Sequence, residues 1–214
     1  MLFRSPFALN VDVWNDLLNG VSPNGDHYYA TNDGDVYPFG DGILELNLYP
    51  GGGEEASTPG PSNHGPVQLA PGNFGTVDIG NASGSTADIV RQITEGPSMD
   101  DMAYHGGQLT LGDDGTLILS GDPGLSGGMK DALESIIGQP RTILLFSTVS
   151  GTGTNSVYTI VGFAGVRVLD VKLTGKLADK YVYIQPANVV DSTVIVDGSS
   201  DVSDFVYKPP TLVQ

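Results

Sequence analysis

Thr142-Ile143-Leu144-Leu145-Phe146-Ser147-Thr148-Val149, a turn through Gly151-Thr152-Gly153-Thr154-Asn155, and a return from Val157 to Leu173 form the stretch that decides the fold. The two apolar runs read as strands bounded by turn residues. The return is too long for an unbroken flat strand, and Gly162 and Gly165 are the positions predicted to hold a bulge or bend. Val166 and Val168 alternate with Leu169, Val171 and Leu173 across Asp170 and Lys172, and Tyr181-Val182-Tyr183-Ile184 makes a further strand. Residues 142–185 are therefore the expected core.

Working outward, the segment around Asp113 permits a register argument. A two-residue Asp114-Gly115 turn would split the neighbouring leucines between faces. A three-residue loop, Asp113 to Gly115 with Gly115 left-handed, pairs Leu111 with Leu117 and Leu109 with Leu119 and puts all four on one face, so it is the loop expected. Ser85 to Gly96 reads as a helix: Ser85 caps it, Asp88 stands three positions on, Ile89 and Ile93 share a face, and Gly96 stops it before Pro97. Gly127 to Ile137 reads as another, with Met129, Leu133, Ile136 and Ile137 in a stripe and Gly138 as its stop before Pro140. Both are short enough to need a sheet to lie on.

Val11 to Gly20 places Val13, Trp14, Leu17 and Leu18 at helical spacing and predicts a third short helix ending in Asn-Gly. Turn residues crowd Ser22 to Gly42. In Ile43 to Tyr49, Leu44, Leu46 and Leu48 alternate onto one face, as in a half-buried strand. Gly51 to Pro61 reads as a low-complexity loop. Beyond Asp191 there are two weak strand patches, Thr193 to Val196 and Asp204 to Tyr207. The expected architecture is mainly β (α+β): a curved, antiparallel-rich sheet, or a partly closed barrel or sandwich, with two or three short helices. Residues 1–70 are expected to pack on the main domain, 71–190 to form that β-rich domain, and 191–214 to be a C-terminal tail.

The chain has 214 residues, 9 Lys plus Arg against 25 Asp plus Glu, a net charge of −16, 30 glycines, 14 prolines and no cysteine. That length suits one large domain, or one domain with tails. Residues 1–96 carry 12 acids against 2 bases, and residues 97–214 carry 13 against 7. So acidic a surface repels phosphate, which argues against nucleic acid and anionic lipid as partners. No apolar run is long enough for a spanning helix, and Met1 to Pro6 does not read as a secretory signal. Without cysteine there are no disulfides, thiolate nucleophiles or Cys-ligated zinc.

Three constellations invite chemistry. Gly124-Leu125-Ser126-Gly127-Gly128 resembles the nucleophile loop of chymotrypsin-like serine proteases, but His27, His64 and His105 do not stand in that family's contexts, and Ser126 also reads as a helix N-cap. Asn32-Asp33-Gly34-Asp35 and Gly112-Asp113-Asp114-Gly115 suggest calcium, yet neither supplies the EF-hand frame, and Asp with Gly is ordinary turn chemistry. Gly72-Asn73-Phe74-Gly75 with Asp78, and the stretch Gly80 to Gly84, match no phosphate-loop spacing. Trp14 alone does not argue for a sugar site. No catalytic, metal or cofactor-binding residue is assigned.

The order of blocks in the middle of the chain is similar to the extracytoplasmic region of TadE/TadG-like Flp pilus-assembly proteins. The blocks are Pro71-Gly72-Asn73-Phe74-Gly75-Thr76-Val77-Asp78, the helix closing in Ile93-Thr94-Glu95-Gly96, Gly121-Asp122-Pro123-Gly124, Pro140-Arg141-Thr142-Ile143 and Tyr158-Thr159-Ile160-Val161-Gly162-Phe163-Ala164, spanning about residues 71–186. Ser5-Pro6-Phe7-Ala8-Leu9 with Trp14 also looks like the stretch preceding that region. The family's glycines match here as backbone devices: Gly75 and Gly124 at turns, Gly96 and Gly138 as helix stops. The resemblance implies a non-catalytic structural or assembly component of a bacterial tight-adherence pilus or related envelope apparatus. It would be extracytoplasmic, have other pilus or envelope proteins as partners, and be held to the membrane only through an N-terminal helix that this chain lacks. It implies no cofactor. A calcium- or glycan-binding surface adhesin module, and a serine hydrolase using Ser126, are the alternatives.

Overall fold

The computed structural model describes residues 4–22, 24–48, 75–80, 85–121, 127–151, 155–175, 180–191 and 203–208. In chain order these form β1 (Arg4–Asn10), α1 (Val11–Leu18), β2 (Tyr29–Ala30), β3 (Val36–Tyr37), β4 (Leu46–Asn47), α2 (Thr86–Glu95) and α3 (Met99–Ala103). There follow β5 (Leu117–Ser120), α4 (Lys130–Glu134), β6 (Pro140–Ser150), β7 (Val157–Lys172), β8 (Tyr181–Pro186), β9 (Val189–Val190), β10 (Ser203–Asp204) and β11 (Val206–Tyr207). The fold is mainly β, with a mixed seven-stranded sheet that is not closed into a barrel. At one end, single bridges Phe7–Thr76 and Val77–Gly121 carry hydrogen bonding from β1 round to the end of β5.

β7 is the spine of the sheet. One edge pairs with β6 along its length; the other is covered in series by β5 at Val157–Ile160, β10 at Phe163–Ala164 and β8 at Val166–Lys172. β1 runs parallel to β6, and β4 lies antiparallel to β8. The register of β6 and β7 shifts between Ile160 and Gly162, one of the two predicted bulge positions. Gly165 serves differently. A Cβ there would collide with the Ala187 carbonyl and lie 2.6 Å from that of Phe205, so glycine admits two other chain segments to the strand.

A second shift, between Val168 and Asp170 on β7, inserts Leu169 as an extra residue. Without it Asp170 would follow Val166 and Val168 into the apolar core. With it, Val171 and Leu173 take that face and Asp170 turns to the other. The phase change from Val166/Val168 to Val171/Leu173 was visible in the sequence and carries this bulge.

Residues 141–146 are all buried because β6 is covered on both faces. Ile143 and Leu145 join a core with Trp14, Ile89, Ile93, Leu133 and Ile136, contributed by α1, α2 and the α4 region. Leu144 and Phe146 join a second core with Val77, Ile79, Met102, Leu109, Leu119, Tyr158 and Ile160. The loop at Asp113 is closed by Gly112 N–H donating to the Thr116 carbonyl at 2.7 Å, with Gly115 left-handed, and the four leucines share the second core. Leu109 and Leu111 form no strand, and β5 pairs with β7.

Three helices fall where expected, with adjusted ends. α1 is capped by Asn10, and Leu18 is exposed rather than buried. Ser85 caps α2, and Gly96 (φ 81°) and Gly138 (φ 78°) are left-handed at the helix stops. The helix expected over Gly127 to Ile137 is a 3₁₀ turn, Gly127–Met129, followed by α4. α3 is a fourth helix beyond those expected, started by a Ser98/Asp101 capping box. The strand expected over Ile43 to Tyr49 shrinks to β4, although Leu46 and Leu48 are buried and Leu44 packs beside them. In the tail, Thr193 to Val196 lies outside the described residues. The Asp204–Tyr207 patch is built in: Trp14 Nε1 donates to Asp204 Oδ2 at 2.8 Å, and Phe205 (φ 59°) meets the Trp14 ring edge-on at 6.2 Å.

Candidate functional site

Residues 22–48 contain few strands, and side chains fix their backbone. Glu45 is fully buried, and its Oε1 accepts the N–H groups of His27 at 2.6 Å and Tyr28 at 2.5 Å; Oε2 lies 3.4 Å from His27 Nδ1. A carboxylate taken out of water is tolerated only with converging donors of this kind. The two oxygens of Asp26 accept from Asp41 N–H at 3.0 Å and Gly42 N–H at 2.8 Å. Asp41 in turn accepts from Ile43 N–H and from Gln185 Nε2 on β8.

Asp170, turned outward by the Leu169 bulge, accepts from the hydroxyls of Tyr28 at 2.8 Å and Tyr181 at 2.9 Å. Burial first, and then the hydrogen bond to Asp170, push the Tyr28 hydroxyl well above its usual range; the same causes push Tyr181 up to about 12. Tyr28, Tyr181 and Tyr183 form a ring cluster beneath this part of the lobe.

Above it, β2 and β3 form a hairpin pairing Tyr29 with Tyr37 and Ala30 with Val36. Its turn is closed by Thr31 N–H to the Asp35 carbonyl, and Gly34 is left-handed at φ 96°. Two contacts hold the hairpin to the sheet: Arg167 Nη1 donates to the Thr31 carbonyl, and the Gly34 carbonyl lies so close to Gly138 that a Cβ there would collide with it. Tyr29, Tyr37 and Phe39 then lie as nearly parallel rings, 5.3–6.2 Å between centroids and 17–26° between planes. They are 37%, 43% and 57% exposed. Phe39 also borders an open pocket of about 430 Å³, with Asp26, His27, Tyr28, Pro38 and Gly40.

Of the residues weighed from sequence, Ser126 and His64 lie outside the described residues. His27 faces Glu45, and His105 faces Asp78 in a different part of the fold. Burial lowers the His105 pKa, and the Asp78 charge opposes that shift. At the two Asp-Gly turns, Asp114 Oδ1 accepts from Thr116 N–H and hydroxyl, while at the other turn the Thr31 hydroxyl accepts from Asp35 N–H. Among the described residues, no group of three or more His, Asp or Glu could hold a metal ion. Gly72 to Phe74 and residues 81–84 also lie outside them. Trp14 is fully buried.

A second polar network ties α2 to α3. Arg91 bonds both Asp88 and Asp101, and Gln92 Nε2 donates to the Ile79 carbonyl. Burial works against the Asp101 charge, but the Ser98 N–H and hydroxyl and Arg91 outweigh it and hold the carboxyl below its usual range. The ring trio lies in Ser22 to Gly42, where the sequence shows only crowded turn residues. Tyr28-Tyr29-Ala30 and Val36-Tyr37 flanking Asn-Asp-Gly was the available hairpin signal. No helix among the described residues is long and apolar enough to cross a membrane. Comparison with protein-family models, curated proteins and solved structures finds no match.

Proposed function

We propose that this chain is a non-catalytic structural or assembly component that works by docking other proteins, in a bacterial tight-adherence pilus or related envelope apparatus. The observation that carries the docking role is the Tyr29–Tyr37–Phe39 platform: three large rings held half-exposed by a lobe whose carboxylates Glu45 and Asp26 are directed onto backbone N–H groups. Rings left in water at such a position are a feature of interaction surfaces. The envelope setting is supported by the block resemblance over residues 71–186 alone. Deleting the gene in its native bacterium and counting surface pili by electron microscopy tests the reading; loss of pili, restored by the wild-type gene, is expected, and an unchanged count defeats it.

The exposed rings also favour a second reading, a glycan-binding adhesin, because aromatic faces stack on sugars. A screen of the purified chain on immobilised glycans addresses it.

A further inference from the structure

The ring platform permits the chemistry of the partner to be named, on the premise of the assembly reading. We infer that Tyr29, Tyr37 and Phe39 dock a basic, arginine-rich segment of a partner protein. An exposed aromatic face carries partial negative charge and attracts a cation. Here three such rings lie within 26° of parallel and remain at least 37% exposed. The same segment is rich in carboxylates: Asp33 and Asp35 are exposed at the tip of the hairpin that carries Tyr29 and Tyr37, and Asp26 lines the pocket beside Phe39.

No lysine or arginine occurs between residues 5 and 90. Arg167, which reaches the lobe from β7, is bonded to the Thr31 carbonyl and faces the Asp41 charge, so it is already engaged. Each oxygen of Asp26 accepts one backbone hydrogen bond and keeps a second lone pair. A guanidinium is flat, so it stacks on a ring while pointing N–H groups at neighbouring carboxylates; an ammonium does only one of these well. The same field repels acidic peptides and nucleic acid. A neutral glycan could use the rings, but Asp26, Asp33 and Asp35, in a stretch without lysine or arginine from residue 5 to 90, favour a cation.

The test titrates the full chain with a labelled alternating arginine–glycine peptide, its citrulline counterpart and a neutral oligosaccharide, cellohexaose. The arginine peptide is expected to bind saturably and to weaken as salt rises. Tyr37→Ala with Phe39→Ala should weaken it about tenfold, and Asp33→Asn with Asp35→Asn several-fold. Phe39→Leu, which keeps the apolar bulk and removes the ring, gives the same readout should the double variant fail to fold by circular dichroism. Arginine binding that ignores the ring substitutions overturns the inference, as does equal ring-dependent binding of citrulline peptide or cellohexaose. If peptide binding fails while gene deletion still abolishes pili, only the docking chemistry is lost. If the peptide binds while pili survive deletion, the assembly reading is lost.

Discussion

Leu144, Phe146, Tyr158 and Ile160 at one end of the β6–β7 pair are covered by Val77, Ile79, Met102, Leu109 and Leu119. At the other end of the sheet, Arg167, Asp170, Tyr183 and Gln185 are covered by residues 22–48. The first cover is held by apolar burial, which needs shape and area but little direction. The second buries Leu46 and Leu48 but is shaped by directed bonds to Glu45, Asp26, Asp41 and Asp170, a means that leaves Tyr29, Tyr37 and Phe39 facing water. The contrast teaches that a lobe whose backbone is fixed by its own carboxylates can present apolar side chains outward without collapsing onto the sheet.

The sharpest way to separate the two regions begins in the core. Ile143→Ala should cost about 2–5 kcal/mol in urea unfolding and lower the protection of both regions together, since Ile143 is buried on β6, which pairs with β7 along its length. Glu45→Gln should cost about 1–3 kcal/mol, because the carboxylate is fully buried and its charge meets two backbone donors. Hydrogen exchange should then speed up at His27 and Tyr28 while the β6–β7 ladder stays protected. Equal loosening of both would show that the lobe is not a separate unit.

Gly138→Ala should cost about 1–2 kcal/mol from its left-handed φ alone, and more from the collision with Gly34, freeing the hairpin tip from the sheet. Limited proteolysis at Thr31–Asp35 reads that release; unchanged cleavage would mean that Arg167 suffices. The smallest effect is alkaline. The folded pKa values of Tyr28 and Tyr181 are raised, so their contribution is complete below about pH 10 and is lost as pH rises through about 12 for Tyr181. Absorbance titration near 295 nm should show late-ionising tyrosines that ionise earlier in Asp170→Asn but stay above the ordinary range, since burial remains.

Much of the apolar frame was legible. The bulge beside Gly162, the Ser85 cap, the Gly96 and Gly138 stops and the four leucines about Gly115 all follow from local spacing and backbone preference. The candidate site was not. Glu45 sits between Leu44 and Leu46 where alternation assigns it to solvent, and only the fold brings the His27 and Tyr28 N–H groups to it. Tyr29, Tyr37 and Phe39 lie among turn residues, where no periodicity marks a surface. The Leu169 bulge lies between these cases: its phase change is written in the chain, but its consequence, Asp170 turned to Tyr28, depends on a residue 142 positions away.

What the chain alone determined is the β6, β7 and β8 strands, three of the helices with their stops, and which of their faces are apolar, because those follow from side-chain period and from the φ each residue allows; β1, the β2–β3 hairpin and α3 were not among them. What only the tertiary structure decided is who meets whom. β7 receives β5, β10 and β8 along one edge, Gly165 admits two crossing backbones, and Trp14 bonds Asp204 from 190 residues away. Such contacts are chosen by competition among many apolar and hydrogen-bonding partners for the same place, and that competition is resolved by the packed whole rather than by any local pattern.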